Sequence, residues 1–183
     1  MKNRGKWVFL AGVLAALGAG WAGFPYAIYE RRPQPVNFSH KVHTEAGGMK
    51  CEDCHEVRPD GTFAGIPRLE KCAGCHTAAM GSTAAEKQFI DRHVTPQREV
   101  GWAVYARQPE NVYFPHGVHV KRAGLACQTC HGNQGQTDSL RPYEEDRISG
   151  YSRDIWRGMT MDDCVACHRR HGIEQQACLD CHK

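Results

Sequence analysis

Five copies of the pattern Cys-x-x-Cys-His run through this chain, and together they use all ten of its cysteines. The pattern is the attachment signature of c-type haem, in which two thiols one short turn apart bond to one macrocycle and the adjacent imidazole ligates its iron. The sequence therefore predicts five covalent haem c groups, with ten cysteines as cofactor-binding residues and five histidines as iron ligands. In chain order, motifs I to V are Cys51-Cys54-His55, Cys72-Cys75-His76, Cys127-Cys130-His131, Cys164-Cys167-His168 and Cys178-Cys181-His182.

Zinc and disulfides are the two other chemistries that paired cysteines serve. Structural zinc sites also use Cys-x-x-Cys pairs, commonly two pairs per ion, so five pairs would leave one over. Disulfides give no reason for a histidine after every pair. Histidine makes up only 11 of 183 residues, so its presence after all five pairs favours haem over both alternatives.

The composition beyond the N-terminus does not suit a conventional hydrophobic core. Hydrophobic residues are 41 % of the chain and the mean hydropathy is -0.56, although an apolar N-terminal stretch raises both values. The remainder is rich in glycine, proline and charged residues, so macrocycles would have to supply the missing apolar surface. We therefore expect a mostly irregular fold with short α-helices, wrapped around stacked haems and joined to one N-terminal transmembrane helix.

The N-terminus has the pattern of a membrane anchor. Residues 7–29 carry no charge and would form a helix about 34 Å long, enough to cross a bilayer. Lys2, Arg4 and Lys6 precede this span, as on the cytoplasmic side of many single-pass proteins. A cleaved signal peptide is the alternative, but the apolar stretch is longer than a typical signal core. Since c-type haem is attached outside the cytoplasmic membrane, we expect residues 1–6 in the cytoplasm and the haem domain in the periplasm.

An internal repeat organises the remaining chain. Residues 38–55 and 114–131 both fit Phe-x-His-x-Val-His-x4-Gly-x2-Cys-x2-Cys-His without a gap. The first copy contains motif I and the second contains motif III. The repeat predicts a di-haem module at 36–76 and a tri-haem module at 114–183, with a connector at 77–113 between them.

Six histidines outside the motifs are candidates for the sixth ligand of each iron. Each repeat copy presents two of them three residues apart, which puts both on one side of a helix but pointing in diverging directions. Two imidazoles so placed can serve two neighbouring haems. Five irons need five such ligands, so one candidate is left over as a surface residue, a docking residue or the ligand of a further, non-covalently held haem. The six are His40, His43, His93, His116, His119 and His171, and Met49, Met80, Met159 and Met161 are rival axial ligands.

The polar residues indicate neither nucleic-acid binding nor catalysis. The formal net charge is only +3, and the lysines and arginines are scattered rather than gathered in a run. Catalytic triads and phosphate-binding loops are absent from the sequence, and the acidic run Glu144-Glu145-Asp146 is interpreted as a solvated loop. A haem enzyme needs an open or labile iron position, whereas this chain has more candidate ligands than irons. We expect an electron carrier with no catalytic residues.

Two parts of the sequence resemble known families. The Phe-x-His-x-x-His and Cys-x-x-Cys-His modules are similar to the class III cytochromes c, the cytochrome c3 and c7 group. The stretch from Gly101-Trp102 to His119, followed by residues 161–169, resembles the multihaem subunit of alternative complex III and of the quinone reductase complex of sulfate reducers. The resemblance covers most of residues 36–183, and the short chain with a single anchor favours the quinone reductase type.

The resemblance implies a membrane-anchored electron wire in the periplasm. In those assemblies the cytochrome is bound to an integral membrane quinone-site subunit and to a molybdopterin-enzyme-like, iron–sulfur-containing partner. It exchanges electrons with a soluble multihaem cytochrome resembling cytochrome c3. A stand-alone membrane-anchored quinol dehydrogenase that feeds a periplasmic reductase is an alternative of similar size and anchor, but that group lacks the repeated modules.

Overall fold

The computed structural model describes residues 4–62, 65–104, 110–150, 160–173 and 177–182. After its N-terminal helix the described chain is a succession of short helical turns joined by irregular segments, as expected from the sequence. The α-helices are α1 (Arg4–Ile28), α2 (Cys51–Cys54), α3 (Leu69–Ala73), α4 (Ala84–Phe89), α5 (Cys127–His131) and α6 (Met161–Arg170). The strands are β1 (Tyr29–Arg32) and β2 (Tyr143–Asp146), the π-helical turns are Val42–Ala46, Ile90–Val94 and Gly117–Arg122, and the 3-10 turns are Gln134–Gln136 and Cys178–Asp180.

Helix α1 is long and apolar enough to span a membrane. Its most apolar 18-residue window has a mean hydropathy of 1.7, and none of that window is buried against the rest of the chain. The helix covers 25 residues and is about 38 Å long. The described helix already includes residues 4–6, ahead of the predicted span of 7–29. It ends at Ile28, where the backbone turns directly into β1.

A two-stranded antiparallel sheet ties the end of α1 to the segment between motifs III and IV. The interpretation of residues 144–146 as a solvated loop is therefore wrong, because they form β2. Alternation of apolar side chains does not mark these strands; cross-strand charges do, with Arg32 Nη2 2.5 Å from Glu145 Oε2 and Arg31 Nε 3.9 Å from Glu144 Oε1. Exposed ion pairs contribute about 0–1 kcal/mol each, so backbone hydrogen bonds carry most of the pairing. The register is Tyr29–Asp146, Glu30–Glu145, Arg31–Glu144 and Arg32–Tyr143.

The chain buries few apolar side chains against itself. Among the described residues, the buried hydrophobic side chains are Leu69 and Phe89, with 8 % and 9 % of their surface exposed. The accessible surface is 13796 Å², whereas a compact protein of 20.5 kDa exposes roughly 9000 Å². Part of the excess is the free-standing α1. The rest indicates that the described residues form no conventional core, which fits a chain folded around macrocycles.

The two repeat copies have the same backbone. In each, the second histidine lies within a π-helical turn, closed by hydrogen bonds from Gly47 N to Val42 O at 3.0 Å and from Ala123 N to Val118 O at 2.9 Å. Such turns are rare and occur frequently at functional sites. The repeat seen in the sequence is therefore a repeat of structure.

The connector contains the helical segment that its apolar periodicity predicts from 84 to 94. The segment begins as α4 after the N-cap Thr83 and continues as the π-helical turn Ile90–Val94. The change to the wider turn is closed by a hydrogen bond from Thr95 N to Ile90 O at 2.9 Å. The segment ends just before Pro96, which cannot supply a backbone N–H.

Candidate haem sites

Four of the five motif histidines face a histidine from outside the motifs. An imidazole nitrogen lies about 2 Å from a metal that it ligates and the ring centroid about 1 Å further, so two imidazoles on opposite sides of one ion have centroids about 6 Å apart. All four pairs fit this spacing, so each could hold one haem iron between its rings. The pairs are His40–His55 at 6.4 Å, His43–His76 at 6.1 Å, His116–His131 at 6.3 Å and His119–His168 at 6.1 Å.

A phenylalanine sets the angle between the two histidines of each repeat copy. Phe38 meets the His40 ring edge-on at 4.9 Å and stacks on the His43 ring at 4.5 Å. Phe114 makes the same two contacts in the second copy, at 4.9 and 4.3 Å. The ring thus holds the two imidazoles apart, toward two different motifs. A phenylalanine stands at the same position of both repeat copies, and this recurrence is the sequence signal for its role.

Most of these imidazoles have one ring nitrogen committed to a hydrogen bond. The Nδ1 of His43 donates to the Ser39 carbonyl at 2.7 Å, and the Nδ1 of His55 donates to the Gly65 carbonyl at 2.8 Å. In the second copy, the Nδ1 of His119 donates to a carbonyl four residues upstream at 3.0 Å. Such bonds fix the tautomer and ring orientation, which leaves Nε2 as the nitrogen that could ligate a metal.

Burial favours the neutral form of two histidines in the centre of the domain. It lowers the pKa of His40 below its ordinary value, and the neighbouring His55 and His43 lower it further. Burial likewise lowers the pKa of His131, with His116 and then His55 adding to the effect. Neutral imidazole is the form that ligates a metal.

Residues that follow motif I contact His116, and a residue that follows motif III contacts His40. The Nδ1 of His116 donates to the Thr62 carbonyl at 3.2 Å, and the backbone N–H next to it donates to the Gly61 carbonyl at 2.6 Å. Reciprocally, Thr137 lies 3.3 Å from the Nδ1 of His40 through its Oγ1 and accepts from the Lys41 N–H at 3.1 Å. Residues that follow motif I therefore orient His116, and a residue that follows motif III orients His40.

A methyl group at position 117 is expected to disturb this exchange. The Cβ of a Gly117→Ala variant would lie 3.0 Å from the Gly61 Cα, which is backbone and cannot rotate away. Overpacking of this kind costs about 1–3 kcal/mol. We expect denaturant unfolding of the haem-loaded protein to show that loss, together with a spectral change at one haem. Gly101→Ala is the matched control, because nothing lies within 4 Å of its Cβ. Equal stability of the two variants would contradict the role of this contact.

Thiols of different motifs lie near one another in a single linear order. Motif I neighbours motifs II and III, motif III also neighbours motif IV, and motif IV neighbours motif V. These described contacts join the attachment sites in the order II–I–III–IV–V. The neighbouring thiols of different motifs are Cys54–Cys75, Cys51–Cys127, Cys130–Cys167 and Cys164–Cys181. In each pair, burial raises the pKa of the thiol named first, and the thiol named second raises it further.

His182 of motif V and the candidates His171 and His93 face no other histidine in a described ring contact. His182 is placed by a bridge to Val112 and by a hydrogen bond from Tyr113 N to Cys181 O at 2.8 Å. His171 caps the end of α6, three residues after His168. His93 lies in the connector, where it stacks on Phe89 at 5.9 Å and its Nδ1 donates to the Arg98 carbonyl at 3.1 Å. Its neighbourhood is site II, because Phe89 also meets the His76 ring at 5.9 Å.

The structure also describes the groups that a disulfide, a metal cluster or methionine ligation would use. All ten cysteines are free of disulfides. No group of three or more His, Cys, Asp and Glu residues in the described chain is arranged to hold a metal ion. Imidazole rather than methionine stands opposite the motif histidine in sites I to IV, and Met159 lies outside the described residues. The Nδ1 of His168 is buried without a hydrogen-bond partner in the described part of the chain.

Comparison with known proteins decides the family. The class III cytochrome c family model matches residues 25–99, and the model of cytochrome c7 and related cytochrome c matches residues 112–183. The chain is 36 % identical to the menaquinone reductase, multiheme cytochrome c subunit of Nitratidesulfovibrio vulgaris strain Hildenborough, over 96 % of this chain and 89 % of that protein. This chain belongs to the class III multihaem cytochromes c. The predicted fold class is confirmed.

Membership of this family means that the protein carries covalent haem c and transfers electrons. The haem iron supplies the one-electron chemistry, between ferric and ferrous states. The residues of this chain supply everything around it: thiols that hold the macrocycles, imidazoles that face each other in pairs, and loops that orient them. This cytochrome is an electron-transfer polypeptide rather than a catalytic one.

Proposed function

We propose that this cytochrome relays electrons along five haems between a soluble periplasmic multihaem cytochrome and a quinone-reactive membrane complex. The observation that carries the proposal is the linear order of the attachment sites, II–I–III–IV–V. A single line has two ends, so one end can meet a soluble partner while the other meets the membrane complex. A cluster with one exposed haem would not have that property.

The five irons are proposed to have two histidine ligands each. The ring pairs supply them in sites I to IV, with His40, His43, His116 and His119 as the distal ligands. In site V we assign His171 opposite His182, because α6 carries motif IV, whose Cys164 neighbours Cys181. His93 is then the spare candidate, since its contacts place it beside site II. A surface role, a docking role or a further non-covalent haem all remain compatible with that position.

The module division is proposed as the sequence predicts it, with a di-haem module at 36–76, a connector at 77–113 and a tri-haem module at 114–183. The boundary falls between sites I and III of the line, where the loops after motifs I and III support each other's histidines. Electrons that pass between the modules would therefore cross at sites I and III.

Anchoring and partners follow from α1 and from the similar protein. We propose that α1 spans the cytoplasmic membrane once, with residues 1–6 in the cytoplasm and the haem domain in the periplasm, because c-type haem is attached there. The name of the similar protein places it in a menaquinone reductase. For this chain we accordingly propose an integral quinone-site subunit and a molybdopterin-enzyme-like, iron–sulfur-containing subunit as partners.

Removal of an internal haem is the sharpest test of a linear relay. A Cys51→Ser/Cys54→Ser variant should lose haem I and so separate site II from sites III to V. We expect a mass spectrum with five covalent haems for the natural chain and four for the variant. In membranes that contain the complete complex, quinone reduction driven by a reduced soluble multihaem cytochrome should fall to background.

The control is His93→Ala, which changes a histidine outside the proposed line and should leave the covalent haem count unaltered. Low-spin spectra of the four remaining haems show that the double variant has folded. Free thiols or bound zinc in the natural chain, or a natural rate in a variant without haem I, would overturn the proposed function.

A further inference from the structure

The histidine of motif II has a carboxylate at its Nδ1, unlike the other six histidines with a described Nδ1 contact. Of the seven Nδ1 contacts described, five are to backbone carbonyls and one is to the Thr137 hydroxyl. The seventh joins the Nδ1 of His76 to the carboxylate of Glu86, at 2.9 Å from Oε1. Among these seven described contacts, the one in site II places a negative charge behind the motif histidine.

The local sequence would ordinarily use Glu86 for another purpose. Thr83 caps α4 by accepting a hydrogen bond from the Glu86 backbone N–H at 3.2 Å. A glutamate in this position commonly completes a capping box by bonding back to the threonine backbone N–H. Here the carboxylate instead accepts from the backbone N–H groups of Met80 and Gly81, at 2.8 and 2.9 Å. These two bonds fix the carboxylate against His76.

The contact between Glu86 and His76 is largely shielded from water. The two side chains are 12 % and 21 % exposed, and Phe89 covers the imidazole edge-on at 5.9 Å. The backbone N–H groups of Met80 and Gly81 both point at the Glu86 carboxylate, and such hydrogen bonds favour its ionised form. A charge at this distance acts more strongly in such surroundings than it would in bulk water.

We propose that Glu86 lowers the reduction potential of the haem at site II by making His76 a stronger electron donor. The inference rests on the proposed role of His76 as an iron ligand. A carboxylate hydrogen-bonded to a ligating histidine raises the basicity of that ligand, and a more basic ligand stabilises ferric over ferrous iron. Glu86 acts through His76 and is therefore a positioning residue. Site II is an end of the line, and a haem of lowered potential holds electrons less well than its neighbours. Electrons therefore pass through this haem and reside on the others.

The test is a redox titration of Glu86→Gln in the full, haem-loaded chain. Glutamine keeps an acceptor oxygen for His76 but removes the charge. We expect the ferrous-to-ferric ratio of one haem to rise about tenfold at a given applied potential, a shift of about 59 mV for a one-electron couple. The other four potentials should stay in place, and the low-spin EPR signal of the same single haem should move.

Asp91→Asn is the matched control. Asp91 lies five residues after Glu86 and has an exposed carboxylate that pairs with Lys87, so the substitution removes the same charge away from the haem ligand. If both variants carry five low-spin haems and give titrations that coincide with the natural protein, this inference fails and the relay stands. Fewer than five haems in the natural chain would overturn both. A Glu86→Gln variant that keeps its potentials but loses a haem or its low-spin state would assign Glu86 a structural role only, which also overturns the inference.

Discussion

A chain that begins at Val36 is expected to keep its haems but to lose electron exchange with the membrane quinone pool. Every motif cysteine and every candidate ligand lies beyond that point, so maturation needs only a cleavable export signal in place of residues 1–35. The shortened protein lacks α1 and also β1, whose ladder with β2 joins the anchor to the segment between motifs III and IV. It should still be reduced by a soluble multihaem cytochrome, since that step needs only the haem domain.

The measurement is quinone reduction in membranes that contain the other subunits, where we expect the shortened chain to give a background rate. The matched control keeps the full length and β1 but scrambles the apolar residues of α1, which tests whether the anchor acts as a tether or by specific contacts. Partial co-purification of the shortened chain with the complex is compatible with contacts made by the haem domain. Full quinone turnover by the shortened chain alone would instead make it an enzyme in its own right.

Replacement of His116 by alanine is expected to convert one haem of five from low spin to high spin. The His116 and His131 rings are 6.3 Å apart and parallel within 1°, so this pair has the most regular geometry of the four. Alanine removes one axial ligand and leaves the thioether bonds untouched, so the haem count should not change. Because the axial ligand sets the potential, the same haem should also shift in a redox titration.

Absorption and EPR spectra of the oxidised protein measure this change, and His93→Ala is the control. His93 resembles a ligand, since its Nδ1 also bonds a carbonyl, but it faces no motif histidine in a described contact. We expect its replacement to leave five low-spin haems. Natural spectra for alanine variants at all four repeat positions, His40, His43, His116 and His119, would refute the ligand assignment.

Much of the site could be predicted because its chemistry is local. A Cys-x-x-Cys-His motif needs only one short turn, so haem attachment follows from residue order alone. The repeat identified four distal candidates for the same reason, because two histidines three residues apart share one turn wherever that turn is placed. The ladder of β1 with β2 was missed, because all but two of its eight residues are charged and apolar alternation does not mark it.

The sequence by itself determined the cofactor chemistry, the apolar anchor and the short-helix fold, since each depends on neighbouring residues or on composition. Only the tertiary structure decided which histidine faces which motif. His119, for example, faces His168 of motif IV rather than the motif of its own repeat copy. It also decided the order II–I–III–IV–V of the attachment sites. The hydrogen bonds to His116 and His40 from the segments after motifs I and III, and the contact of the Glu86 carboxylate with His76, likewise depend on the tertiary structure. These contacts join segments that are far apart in the chain or that are connected by irregular backbone. In both cases the spacing of two residues in the sequence does not determine their distance in space.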